Sequence, residues 1–206
     1  MVRIVKKPEV RRLEILTAAH QLFENKGYEK TTMRDVMEAV GIAKGTIYHY
    51  FKSKEEILEA VVAYLVNEGV SHIQKQMQAA SGNVIDKMRL LISASNFSED
   101  NLEILEQLNQ PGNGAMHTRQ LAITIQQLAP IYADVIQQGC QEGIFHTETP
   151  LECAEFLLAG IQFLTDLGIH TWKQEALLRR AMAFPAMIEA LLQAPKDSFK
   201  FLIEQL

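Results

Sequence analysis

Two cysteines, Cys140 and Cys153, are too few and too unpatterned for a disulfide framework or a zinc site. His72, His117, His146 and His170 show no metal-ligand spacing with them, so neither a metal nor a cofactor is expected. No apolar run approaches the roughly 18 residues that a membrane span needs. The opening MVRIVKKPEVRR is basic but leads into an amphipathic helix rather than an apolar signal core. These absences point to a cytoplasmic protein with no membrane partner. A Gly-rich phosphate loop, a nucleophile elbow and a paired-His motif are also missing, and the carboxylates are scattered. An enzyme is therefore not expected.

What the chain has is an ordinary globular composition, 48% apolar and 22% charged over 206 residues, enough to bury a core in one domain or two small ones. Its net charge of −5 is unevenly spread. Residues 1–54 carry 11 Lys or Arg against 6 Asp or Glu, a balance of +5. Residues 55–206 carry 9 against 19, a balance of −10. A basic head on an acidic body is the footprint of a protein in which only the head meets a polyanion, because phosphate neutralisation supplies most nonspecific nucleic-acid affinity.

The basic part holds the sharpest pattern, TMRDVMEAVGIAKGTIYHYFKSKEEILE at residues 32–59. Thr32 as N-cap with Asp35 three residues on starts a helix, and Val36, Ala39 and Val40 recur on its inner face. Gly41 ends it, since a left-handed residue is cheapest as glycine. Ala43, Ile47 and Phe51 then repeat at intervals of four and predict a second buried stripe. Two short helices around a tight Gly turn are a helix-turn-helix.

At 100° per residue, Gly45 and His49 point directly away from that stripe, with Tyr48 beside them and Lys44 and Thr46 flanking. Glycine in an exposed helix interior costs about 1 kcal/mol relative to alanine, so Gly45 suggests close approach by another molecule. DNA in a major groove fits, with Lys44 and Thr46 reaching base edges and Tyr48 and His49 donating to phosphate oxygens. Ser53 and Glu56 have capping-box spacing, and Lys54 in the following first turn opposes the helix dipole but suits a phosphate.

Through GIAKGTIYHYFKSKEEIL and the preceding TTMRDV the chain resembles the TetR-type (TetR/AcrR) bacterial transcriptional repressors, closely over residues 10–60 and in layout beyond. The resemblance implies a three-helix DNA-binding head, a divergent helical body that binds a small ligand, and a symmetric dimer.

Around the motif, a first helix is predicted over residues 9–25, with Ile15, Leu16, Ala19, Leu22 and Phe23 inward and basic residues at Arg3, Lys6, Lys7, Arg11 and Arg12 before or within it. A long helix from Ser53 to about Ala80 follows, then Val84–Ser95 and a shorter helix Glu99–Leu108 capped by Ser98. A loop at Pro111–Gly114 precedes a helix over 115–141 that carries Pro130 in its middle. Thr149 and Pro150 open the next helix by the N-cap and N1 rules. Its polar residues, Glu152, Glu155, Gln162 and Asp166, form one narrow stripe, leaving more apolar circumference than a single core needs. A last helix over 173–193 is equally broad. A second copy is the simplest cover, with Phe156, Ile161, Phe163, Leu164, Leu167, Phe184, Ile188 and Leu191 in a two-fold four-helix interface.

The sequence thus reads as all-α, about nine helices, with a helix-turn-helix head at 1–52 and a helical ligand-binding and dimerisation body at 53–206. Met77, Met88, Phe97, Met116, His117 and Tyr132 are the candidates to line a body pocket, methionine suiting irregular apolar ligands. The function expected is a dimeric, ligand-responsive repressor that binds a double-stranded DNA operator and is released by a small-molecule effector. The alternative is a protein-binding co-regulator on the same fold.

Overall fold

The computed structural model describes residues 7–95 and 114–204, apart from the side chains at 115 and 116. Every regular element among them is helical: α1 (Pro8–Lys26), α2 (Met33–Val40), α3 (Lys44–Tyr50), α4 (Lys54–Ala79), α5 (Val84–Ser95), α6 (Gly114–Gln141), α7 (Pro150–Thr165), α8 (Gln174–Leu192) and a 3-10 turn at Lys200–Leu202. The all-α expectation holds, and the helix expected at Glu99–Leu108 lies outside the described residues. The described residues form two compact units, 7–68 and then 69–95 with 114–204; α4 contributes to both. The head boundary read at 52/53 falls at the start of α4, whose residues 54–68 belong to the first unit.

In the first unit, Pro8 occupies the opening turn of α1, where its missing N–H breaks no intrahelical bond, and Ile15, Leu16, Ala19 and Phe23 form a buried stripe. Tyr28 packs edge-on against Phe23, with ring centroids 5.2 Å apart. The capping box at α2 forms as expected: Thr32 Oγ1 accepts the Asp35 N–H at 3.2 Å, and Asp35 Oδ2 accepts the Thr32 N–H at 2.8 Å. Gly41 then takes a left-handed backbone, φ 69 and ψ 39, while the Ile42 N–H donates to Met37 O at 3.0 Å and closes the last turn. The predicted apolar stripes are narrower than expected. Of the α2 set only Val36 is buried and Ala39 is exposed; of the next set Ile47 and Phe51 are buried but Ala43 is exposed. The reason is local: Ala43 is the extended N-cap of α3, outside the helical register that the spacing assumed.

At α4, Ser53 Oγ accepts the Glu56 N–H at 3.3 Å, but Glu56 Oε2 accepts from the backbone N–H of Lys52 rather than that of Ser53. The second half of the predicted box therefore closes one residue early. Ile57, Leu58, Val61 and Val62 bury the inner face of this first portion of α4.

In the second unit α6 packs along α5 and α7, and α7 along α8. Pro130 lies inside α6, which runs as one helix across it, and Pro185 lies buried inside α8. Pro150 opens α7 as predicted, but Thr149 makes no side-chain cap. Of the polar stripe, Glu152 and Glu155 are exposed, whereas Gln162 and Asp166 are half-buried. The residues after Pro195, which carry no readable pattern, fold back into the core. Phe199 is fully buried and stacks on Phe145 with centroids 6.0 Å apart, and its N–H donates to Glu189 Oε1 at 3.1 Å. Phe145 in turn lies flat against α6 at Gly139, where a Cβ would sit 2.2 Å from a ring carbon.

Candidate nucleic-acid interface and body cavity

The seven residues of α3 divide by exposure as the helical rotation requires. Ile47 is fully buried against the head, whereas Lys44, Gly45, Tyr48 and His49 are exposed and Thr46 is half-buried. A Cβ added at Gly45 meets nothing within 4 Å, so the chain's own packing does not require glycine there. Lys44 Nζ lies 5.8 Å from the Tyr48 ring centroid, and the His49 and Tyr50 rings meet edge-on at 5.2 Å. The face thus offers an amine, a phenol, an imidazole and a patch of bare backbone over two turns. Such a surface can donate to acidic oxygens and lie close against a polyanion.

Two further residues named from the sequence lie on the neighbouring elements, Thr32 as the N-cap of α2 and Lys54 in the first turn of α4. Thr32 is exposed, but its hydroxyl already donates to Asp35 Oδ2 at 2.8 Å. Lys54 is half-buried; its amine donates to Tyr28 O at 2.8 Å and lies 4.0 Å from the centre of the Tyr28 ring. The phenol of Tyr28 is pushed up to about 12, first by burial and then by the nearby Glu55 and Glu29 carboxylates. Lys26 Nζ sits 2.6 Å from Asp35 Oδ2, tying the end of α1 to the start of α2. That amine, with the Thr32 donors, holds the Asp35 carboxyl at about 2. Neither pair was legible beforehand, because each joins residues from different elements. Arg3 and Lys6 of the basic arm lie outside the described residues.

In the second unit, a cavity of about 440 Å³ opens between α5, α6, α7 and α8. Met88 and Tyr132 line it, and so do Ile161, Phe184 and Ile188, which the sequence placed toward a second copy. Met77 lines a separate cleft beside Lys87 and Asp134. His117 is buried with its Nε2 3.0 Å from Asp166 Oδ2, joining α6 to the end of α7. Phe97 and the Met116 side chain lie outside the described residues. Phe156, Phe163 and Leu167 are 67%, 50% and 61% exposed, and Leu164 and Leu191 are half-buried. On α8, Leu178, Met182 and Met187 are about as exposed; Leu178 belongs to the broad apolar face expected of this helix, and the two methionines were not expected. Ser95, Thr124, Gln162 and Thr165 also face the cavity and were not among the pocket candidates. Their signal was polar residues inside otherwise apolar helices.

Among the described residues no group of three or more His, Cys, Asp or Glu could hold a metal ion, and no helix is long and apolar enough to cross a membrane.

Residues 15–61 match the family described as bacterial regulatory proteins, tetR family, and residues 97–187 match the tetracyclin repressor-like C-terminal domain. The HTH-type transcriptional repressor KstR2 of Mycolicibacterium smegmatis is 26% identical over 157 residues, 71% of this chain and 73% of that protein. An uncharacterized HTH-type transcriptional regulator of Bacillus subtilis, YfiR, is 39% identical over 71 residues, 34% of this chain and 35% of that protein's length. The solved structure of a transcriptional regulator from Cytophaga hutchinsonii has the same fold, with a TM-score of 0.62 at 21% identity, covering 92% of this chain and 95% of that one.

Proposed function

Because the chain belongs to the TetR family of bacterial regulatory proteins, we propose that it is a dimeric transcriptional repressor that grips an operator with α3 and is released by a small molecule held in its body. The observation that carries this reading is the outward face of α3. Lys44, Tyr48 and His49 are exposed around a glycine that no neighbour among the described residues requires. Close approach to a phosphodiester backbone accounts for such a glycine, and the side chains around it supply donors for base edges and phosphates. Thr32, Thr46 and Lys54 frame the same contact. Lys54 stands at the N-terminus of α4, where the helix dipole also favours an anion.

A dimer accounts for the apolar side chains left open on α7 and α8. Phe156 and Phe163 of α7, Leu167 just past its end, and Leu178, Met182 and Met187 of α8 are too many large exposed groups for a monomer surface. A two-fold axis through them is self-complementary and presents two copies of α3, which suits half-sites about 34–36 Å apart on a pseudo-palindromic operator. An effector in the cavity that prefers one arrangement of the body would act through α4, which among the described residues is the helix shared by both units. A coupling of about 1–3 kcal/mol lowers operator affinity roughly 5- to 150-fold.

Selection of binding sites from a random duplex pool tests the proposal. An inverted repeat with half-sites about one helical turn apart is expected, bound with an affinity that falls steeply with salt. A pool that yields no inverted repeat favours a protein-binding co-regulator on this fold.

A further inference from the structure

The walls of the α5–α8 cavity limit the kind of molecule that it can hold. Its lining includes Met88, Leu128, Ile161 and Ile188 as apolar surface, with Ser95, Thr124, Tyr132, Gln162 and Thr165 as the polar groups. None of the lining residues carries a formal charge at neutral pH. A carboxylate, phosphate or thioester-linked nucleotide placed here would lose its hydration with no cation among the described lining residues to replace it.

The hydrogen bonding is as one-sided as the charge. Each hydroxyl has one proton to give and two lone pairs to offer, and here every proton is already given to the protein. Ser95 Oγ donates to Leu91 O at 2.7 Å and Thr124 Oγ1 to Gln120 O at 2.9 Å. Thr165 Oγ1 donates to Ile161 O at 2.8 Å, and Tyr132 OH to Ser95 Oγ at 3.1 Å. What remains open to a guest is lone pairs on four oxygens, against a single side-chain amide, that of Gln162, able to donate. One turn from Thr124 on the same helix, Gln120 is buried as well, its Oε1 without a donor among the described residues. Burial also pushes the Tyr132 phenol up to about 12, so the environment favours neutral groups.

We propose that the ligand of this cavity is an uncharged, mainly apolar molecule bearing a hydrogen-bond donor such as a hydroxyl, and that carboxylates and phosphates are excluded. At about 30 Å³ per water-sized unit the cavity holds roughly fifteen non-hydrogen atoms. This inference rests on the reading of the cavity as the effector site and narrows it to one chemical class.

Titration calorimetry of the full chain with three probes of one length tests it: 1-dodecanol, its methyl ether, and dodecanoate at about pH 8, where the acid is ionised. The alcohol is expected to bind at least tenfold more tightly than either of the others. A Thr124→Val, Thr165→Val double variant should lose several-fold affinity for the alcohol and none for the ether, and Ala181→Leu, which narrows the cavity, should weaken both. Dodecanoate binding as tightly as the alcohol overturns the inference while leaving an effector cavity in place. An ether equal to the alcohol also overturns it, since the open lone pairs then count for nothing. If none of the three binds, both the inference and the cavity as effector site fall together.

Discussion

The Lys54 amine is anchored on Tyr28, 2.8 Å from its carbonyl oxygen and 4.0 Å above its ring, so a lysine that unsettles its own helix N-terminus is held by the turn between α1 and α2. An ammonium has three donors; the Tyr28 carbonyl takes one and the Glu29 carbonyl, at 3.5 Å, a second, so the same group can clamp the head and still offer one donor to a phosphate.

Lys54→Ala should therefore act twice. Loss of the hydrogen bond and the cation–π contact should lower stability by about 1–2 kcal/mol, a fall in Tm of several degrees for a chain of this size. Operator titrations at a series of salt concentrations should show the slope reduced by about one unit. A lower Tm with an unchanged slope would assign Lys54 to the architecture of the head alone.

Gly45→Ala separates folding from recognition. Because the added methyl meets nothing within 4 Å, thermal stability should be unchanged or rise by up to about 1 kcal/mol. Operator affinity should fall at least tenfold. A variant that is both stabler and fully active would show that nothing approaches the backbone there.

Asp35 sets an acid limb to stability. Its carboxyl lies at about 2 in the folded protein, against an ordinary 3.8, through Lys26 first and then the Thr32 donors. The folded value is the lower one, so its stabilising effect is complete above about pH 4 and is lost as the pH falls toward 2. Urea unfolding of the native chain and Asp35→Asn should differ near neutrality and converge at the acid end. A gap that ignores pH would mean that the cap geometry, not the charge, is responsible.

Gly139→Ala should destabilise the body by about 1–3 kcal/mol, because its Cβ would overlap the Phe145 ring. Adding Phe145→Leu should recover part of that loss, so the two changes should be non-additive in a double-mutant cycle. Strict additivity would contradict the direct contact.

The proposed dimer predicts its own disruption. Phe156→Glu with Leu167→Glu places charge among side chains that are already exposed in one copy, so each copy should still fold. Sedimentation should report a monomer, and operator affinity should collapse because only one half-site can then be held. A variant that remains dimeric would move the interface elsewhere.

How legible each part was depended on the distance over which its signal is written. Thr32, Asp35 and Gly41 declare the start and end of α2 within ten residues, and helical rotation alone put Lys44, Gly45, Tyr48 and His49 outward, where they lie. The apolar stripes were read too generously where an element began: Ala43 obeys the spacing but precedes the helix, and so escapes burial.

The amino-acid order by itself determined the all-helical class, the helix-turn-helix and its donor face, since capping, turn chemistry and a 3.6-residue period are properties of short stretches. Only the tertiary structure decided that Lys54 rests on Tyr28, that Phe199 returns to stack on Phe145, and that Thr124, Tyr132 and Thr165 share one uncharged cavity. Each of those facts joins residues far apart along the chain or on separate helices. No local pattern encodes them, because which helix faces reach the same space is settled by packing.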